Sequence, residues 1–173
     1  MEIREAIRNY LFDRERGGVF YRSVRIDDGK ITEVDRTVDA SIMGVFLFNV
    51  FDVYEPMLES SVKVIVDRLW VKPIGGIARY EGDYYQRVPG DYSGIPGNPW
   101  IITTLWVTQY YMAKGDCYRA REFISWVNRV RTSTNLLPEQ VDPFRGLPVS
   151  VTPLVWSHAE YLRTYIMRKR QCA

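Results

Sequence analysis

The sequence predicts a mainly α-helical protein in which short helices, joined in consecutive pairs, carry two long irregular loops. Three observations lead there. Helical patterns are read in six separate segments, one short stretch reads as a β-hairpin, and two long stretches lack a regular period, 72–99, rich in Gly, Pro and Tyr, and 132–151, with three Pro. With 173 residues the chain suits a single domain, 1–173, long enough to bury a substantial core.

Ile3, Ala6, Ile7, Tyr10 and Leu11 lie at helical spacing, so the chain opens on an amphipathic helix that Arg16-Gly17-Gly18 ends. Val19 to Ile26 reads as a short strand, Asp27-Asp28-Gly29 as a turn and Ile31 to Val34 as the return strand. The mostly apolar stretch Val38 to Tyr54 reads as a buried helix capped by Asp39 or Thr37. Pro56 suits the first turn of the next helix, where its missing N–H costs nothing, and Leu58, Val62, Ile65, Val66 and Leu69 line one face of it. After the first loop, helices are predicted from Trp100 to Ala113 and from Tyr118 to Val130, with Gly115 closing the former and Asp116 capping the latter. The last helix runs from Thr152 to about Arg168, with Pro153 just inside and Val155, Ala159, Leu162 and Ile166 on one side.

Composition narrows the function classes. Lys and Arg number 23 against 21 Asp and Glu, with no run of five like charges, so nothing points to nucleic acid. The longest apolar stretch, Ile42 to Val50, is interrupted by Gly44 and Asn49 and falls short of the roughly 20 residues of a membrane helix. The N-terminal stretch has no apolar core of the secretory kind. Cys117 and Cys172 are expected to be isolated thiols, which favours a reducing, cytoplasmic setting, and a single His makes a zinc site improbable. Aromatic content is the unusual feature, at 14%.

If the helices are the scaffold, the loops are where a site belongs. In the first, Arg79 is a multi-donor fork, and Tyr84, Tyr85 and Trp100 are flat rings with polar edges, a mixture suited to a ligand studded with hydroxyls. A surface loop with Asp–Arg pairing and packing tyrosines accounts for the same residues. In the second, Glu139 of Pro138-Glu139-Gln140 is fixed by a preceding Pro and reads as a general base or as a loop cap. His158 has no partner at ligand spacing and reads as a hydrogen-bonded structural His. Ser157 lacks the glycines of a nucleophile elbow, which argues against a serine hydrolase.

Taken in order, Asp39-Ala40-Ser41, Arg79-Tyr80, Gly97-Asn98-Pro99-Trp100, Pro138-Glu139-Gln140 and Trp156-Ser157 resemble the C-terminal half of the catalytic domain of glycoside hydrolase family 15, which holds glucoamylases, glucodextranases and related trehalases. The resemblance covers residues 39 to 161 and rests on the order of the motifs, since each alone is weak. It implies about half of an (α/α)6 barrel and hydrolysis of α-glucosides with inversion. By matching motifs, it places Glu139 as the general base and Arg79 on the sugar at the non-reducing end. Trp100 falls near the next subsite, Trp156 against the catalytic pocket, and either Tyr84 or Tyr85 in the same loop.

The family's catalytic acid lies N-terminal to everything matched, so the resemblance also implies that the acid is missing from this chain; Glu81, Asp83 and Glu160 lack its context. Three readings follow. The chain is part of a hydrolase completed by a partner chain with the other half-barrel; it is an inactive fragment that self-associates through exposed helix faces; or it is a carbohydrate-binding remnant without catalysis. Maltooligosaccharides, dextran-type oligosaccharides and trehalose are the implied substrates. No metal or organic cofactor is implied.

Overall fold

The computed structural model describes residues 3–15 and 17–172 and contains six α-helices: α1 (Ile3–Tyr10), α2 (Gly44–Leu47), α3 (Pro56–Leu69), α4 (Ile101–Ala113), α5 (Cys117–Val130) and α6 (Val155–Gln171). Arg16, named above in the helix stop, lies outside the described residues. Pro56 is the first helical residue of α3, and Leu58, Val62, Ile65 and Leu69 are its buried stripe. The Asp116 carboxylate caps α5 by accepting from Arg119 N–H.

Helix α4 is central. Eleven of its residues are buried, so it has no solvent face, and α5 and α6 both pack on it. Its first turn also holds a strand: Ile77 N–H donates to Thr104 Oγ1 at 2.9 Å and Ile77 C=O accepts from Thr103 Oγ1 at 2.6 Å. The hydroxyls thereby satisfy the backbone groups of a chain buried against a helix.

The predicted hairpin is present, but its first strand is not continuous from Val19 to Ile26: only β3 (Ser23–Asp27) pairs, antiparallel, with β4 (Lys30–Asp35), and Asp28 and Gly29 are both in the left-handed region that a two-residue hairpin turn requires. Before it, β1 (Phe12–Asp13) pairs with β2 (Val19–Phe20). The third sheet is built from β5 (Ile77–Ala78), β6 (Pro99–Trp100), β7 (Gln140–Val141) and β8 (Pro148–Val149), hydrogen-bonded in that order and antiparallel throughout.

Three further expectations are corrected. The stretch Val38 to Tyr54 is not one helix: Asp39 bridges to Tyr80, with Ala40 N–H on Arg79 C=O and Glu81 N–H on Val38 C=O. Residues before Ala40 thus serve as an extended partner of the first loop. Only a 3₁₀ turn (Ala40–Met43) and α2 follow, and Asn49 turns left-handed at φ 54° just beyond. The cap is Asp39, not Thr37, and its carboxylate accepts from Ser41 N–H.

Second, α6 begins at Val155 rather than Thr152, because Leu154 is held extended by its N–H on Leu137 C=O. The apolar side named in the sequence faces outward: Val155 is 81% exposed, Leu162 59% and Ile166 43%. The side packed on α4 is polar, with Gln109 Nε2 donating to Glu160 Oε2 and Thr164 Oγ1 at 2.8 and 2.9 Å.

Third, Cys117 and Cys172 are bonded to each other, tying the start of α5 to the end of α6 across 55 residues. The thiol argument for a reducing compartment falls with that pairing. No helix among the described residues is long and apolar enough to cross a membrane. Cross-linking a loop of this size removes enough unfolded-state entropy to stabilise by about 2–4 kcal/mol. Cys117→Ser is therefore expected to lower the Tm of the oxidised protein by roughly 5–15 °C. A wild-type Tm that reductant does not change would contradict this.

Candidate active site

The four-stranded sheet explains how motifs far apart in sequence reach one place. Its strands are two residues long, but their register joins both irregular loops: Ile77 pairs with Trp100, Trp100 with Gln140, and Gln140 with Val149. Arg79 therefore leaves the end of β5, Trp100 lies on β6, Glu139 immediately precedes β7, and Ser150 immediately follows β8. Close approach of β5 to α5 depends on Gly76, whose φ is +83° and where an added Cβ would lie 2.4 Å from the Trp126 ring.

The Arg79 guanidinium sits among three rings, 4.7 Å from the centroid of Trp100, 4.9 Å from Tyr80 and 5.2 Å from Tyr85. Asp83, only 1% exposed, holds it in a two-point fork with Nε and Nη2 at 3.0 and 2.9 Å from its two oxygens. Burial works against the guanidinium charge, and the hydrogen bonds and negative charge of Asp83, with Tyr80 adding to them, outweigh it, so its pKa is raised. Trp100 lies almost wholly beneath this group, with its Nε1 buried and unpartnered among the described residues. Tyr85 stays partly open, 6.2 Å from Trp100 between ring centroids. Tyr84, 77% exposed, makes no ring contact in this cluster.

Glu139 is half-buried, and both of its side-chain donors converge on Oε2: Gln140 Nε2 at 3.1 Å and the Ser150 hydroxyl. These two donors fix Oε2, and Oε1 takes no hydrogen bond among the described residues. Behind the carboxylate, Gln140 Oε1 accepts from Asn98 Nδ2 at 3.0 Å, and Asn98 Oδ1 accepts from Tyr92 OH at 2.6 Å. The Gly97-Asn98-Pro99-Trp100 and Pro138-Glu139-Gln140 motifs are thus one hydrogen-bonded unit.

The start of α6 supports the same segment. Ser157 Oγ donates to Pro138 C=O at 2.8 Å, and Leu137 N–H donates to His158 Nε2 at 3.0 Å. His158 is thereby a structural acceptor, as the sequence indicated, and Ser157 is a buried donor rather than a nucleophile. Beside them Trp156 is 49% exposed and lies 5.8 Å from Trp106 of α4 between ring centroids.

The three carboxylates weighed as alternative acids are each engaged elsewhere: Glu81 with Arg68, Asp83 with Arg79, and Glu160 with Gln109. Ser150 is the residue that sequence reasoning missed. It is a non-glycine residue at φ +65°, the kind of strain that gathers at functional sites, and no sequence signal marks it.

Comparison with known proteins places this geometry in context. No protein-family profile matches the sequence. An uncharacterized glycosyl hydrolase of Methanocaldococcus jannaschii is 33% identical over 169 residues, 90% of this chain. Trehalase 1 of Sulfolobus acidocaldarius is 27% identical over 125 residues, 72% of this chain. The chain spans about a quarter of the length of these relatives, 24% and 21% respectively. Among solved structures, a bacterial glucoamylase complexed with acarbose superposes with a TM-score of 0.74 at 23% identity, covering 98% of this chain and 30% of that one. The family 15 glucoamylase of Hypocrea jecorina gives 0.69 at 17% identity, covering 89% of this chain and 34% of that one. The shared fold is that of the glucoamylases, over a part of their length.

Proposed function

We propose that this chain, a stretch of the glycoside hydrolase family 15 type, supplies the water-activating side of an inverting α-glucosidase that releases glucose from non-reducing ends. The observation that carries the reading is the Glu139 carboxylate. Two donors fix one oxygen and leave the other open, the arrangement a general base needs in order to orient a water and accept its proton.

Inversion uses two carboxyl groups about 6.5–9.5 Å apart, one protonating the leaving oxygen and one activating water on the opposite face of the sugar. Glu139 is the second of these. The N–H groups of Arg79 not taken by Asp83 hold sugar hydroxyls. Trp100 backs that guanidinium rather than offering an open face, so stacking falls to Tyr85 and Trp156, with Tyr84 at the rim. α-Linked maltooligosaccharides, dextran-type oligosaccharides and trehalose are the substrate class.

The engagement of Glu81, Asp83 and Glu160 supports a general acid that comes from elsewhere. The outward apolar side of α6, which begins beside Trp156, is the surface on which the other half-barrel seats. The test is glucose release from maltotriose and trehalose by the wild type and Glu139→Gln, each with and without the complementary half. Release that needs the complementary half and disappears in Glu139→Gln is the expected result. Equal release by both forms would overturn the reading.

A further inference from the structure

We propose that Asn98 is a positioning residue that sets the direction of a hydrogen-bond relay ending at Glu139, so that Gln140 presents an N–H and not its carbonyl to the carboxylate. The proposal concerns the same site and rests on the reading of Glu139 as a base for its functional meaning, though not for its geometry.

A carboxamide has nearly the same shape in its two flipped orientations, and packing alone does not choose between them. Polarity does. Gln140 is fully buried, so water cannot compensate a wrong orientation. Both ends of the chain of contacts accept only: Gln86 C=O at one end and the Glu139 carboxylate at the other. Asn98, 1% exposed, answers the first end by turning Nδ2 to Gln86 C=O at 2.8 Å. Gln86 is itself held left-handed, at φ +55°. The same Nδ2 then donates to Gln140 Oε1 at 3.0 Å, which leaves Gln140 Nε2 facing Glu139 Oε2 at 3.1 Å. Flipping Asn98 would set its oxygen against the Gln86 oxygen. Flipping Gln140 would set two N–H₂ groups together and a carbonyl against the carboxylate. Only the observed direction satisfies every group.

Tyr92 plays a lesser part. Its hydroxyl accepts from Val88 N–H at 3.2 Å and donates to Asn98 Oδ1 at 2.6 Å, but a hydroxyl suits either polarity. It braces Asn98 without choosing the direction.

The test is ¹⁵N-edited NMR of the Gln140 side-chain amide in the intact chain. In the wild type, the Gln140 N–H₂ and the Ser150 β-protons should show a nuclear Overhauser contact, because both donors converge on Glu139 Oε2. In the isosteric variant Asn98→Asp, recorded at alkaline pH where the ionised side chain cannot donate to Gln86 C=O or Gln140 Oε1, that contact should be lost as the amide turns toward the new carboxylate. In Tyr92→Phe it should be retained. A merely structural network would lose the contact in both variants or in neither, and either pattern would overturn the proposal. So would its absence in the wild type, a measurement that needs no variant to fold. Failure of Glu139→Gln to reduce glucose release, with this contact pattern intact, would instead remove the base assignment and leave the relay standing.

Discussion

Glu139→Gln is expected to lower kcat for glucose release by about 10²–10⁴-fold, the usual contribution of a positioned general base, while KM changes little. The substitution replaces a carboxylate oxygen by an amide of the same shape. An amide oxygen at the Oε2 position still accepts from Gln140 and Ser150, so the surrounding bonds can persist. Arg79, Asp83 and Trp100 are untouched, so the groups proposed to hold the sugar stay in place. Loss confined to kcat marks an interaction made only in the transition state. Steady-state kinetics in the form that releases glucose checks this, with thermal melts of both proteins to confirm equal folding. A rise in KM at constant kcat would assign Glu139 to binding instead.

The second large effect concerns the scaffold. Gly76→Ala is expected to destabilise the protein by about 2–5 kcal/mol, combining overpacking of the core with a left-handed backbone that alanine resists. The added Cβ would meet Trp126 at 2.4 and 2.6 Å and Pro99 at 2.7 Å. Trp126 is 1% exposed and cannot swing away without opening the core around Leu105 and Val127. Gly82→Ala is the matched comparison, because its φ is +77° yet its Cβ would meet nothing within 4 Å. It carries the backbone cost alone, about 1–2 kcal/mol. Chemical denaturation midpoints separate the two, and equal shifts would mean that close approach of β5 to α5 is not what Gly76 provides.

These expectations show which parts of the molecule its sequence makes legible. The α3 and α5 segments could be read because burial and helical spacing agree there, and Pro56 and Asp116 mark their starts for local reasons. The direction in which the apolar side of α6 faces is not given by its spacing. Spacing reports that Val155, Leu162 and Ile166 share a side, but not whether that side meets α4, and the polar seam through Gln109 takes the inner position. The Cys117–Cys172 bond was hidden because it depends on α5 and α6 packing against the same central helix.

The candidate site was legible by motif and illegible by geometry. Arg79, Trp100 and Glu139 stand out as chemistry-bearing groups in irregular stretches. The strands that join them have two residues each, too few for a period-two pattern to register. Tyr84 and Tyr85 look equivalent in sequence, and only the fold turns Tyr85 toward Arg79. Ser150 and Gln86 depend on left-handed backbone that their side chains do not announce.

The most direct measurement of the central claim is the anomeric form of the first glucose released from an α-glucoside, followed by ¹H NMR before mutarotation. On the proposed reading, in which Glu139 activates water on the face opposite the leaving oxygen, β-glucose is expected first and Glu139→Gln is expected to abolish that signal. α-Glucose appearing first, or β-glucose released equally well by Glu139→Gln, would contradict it.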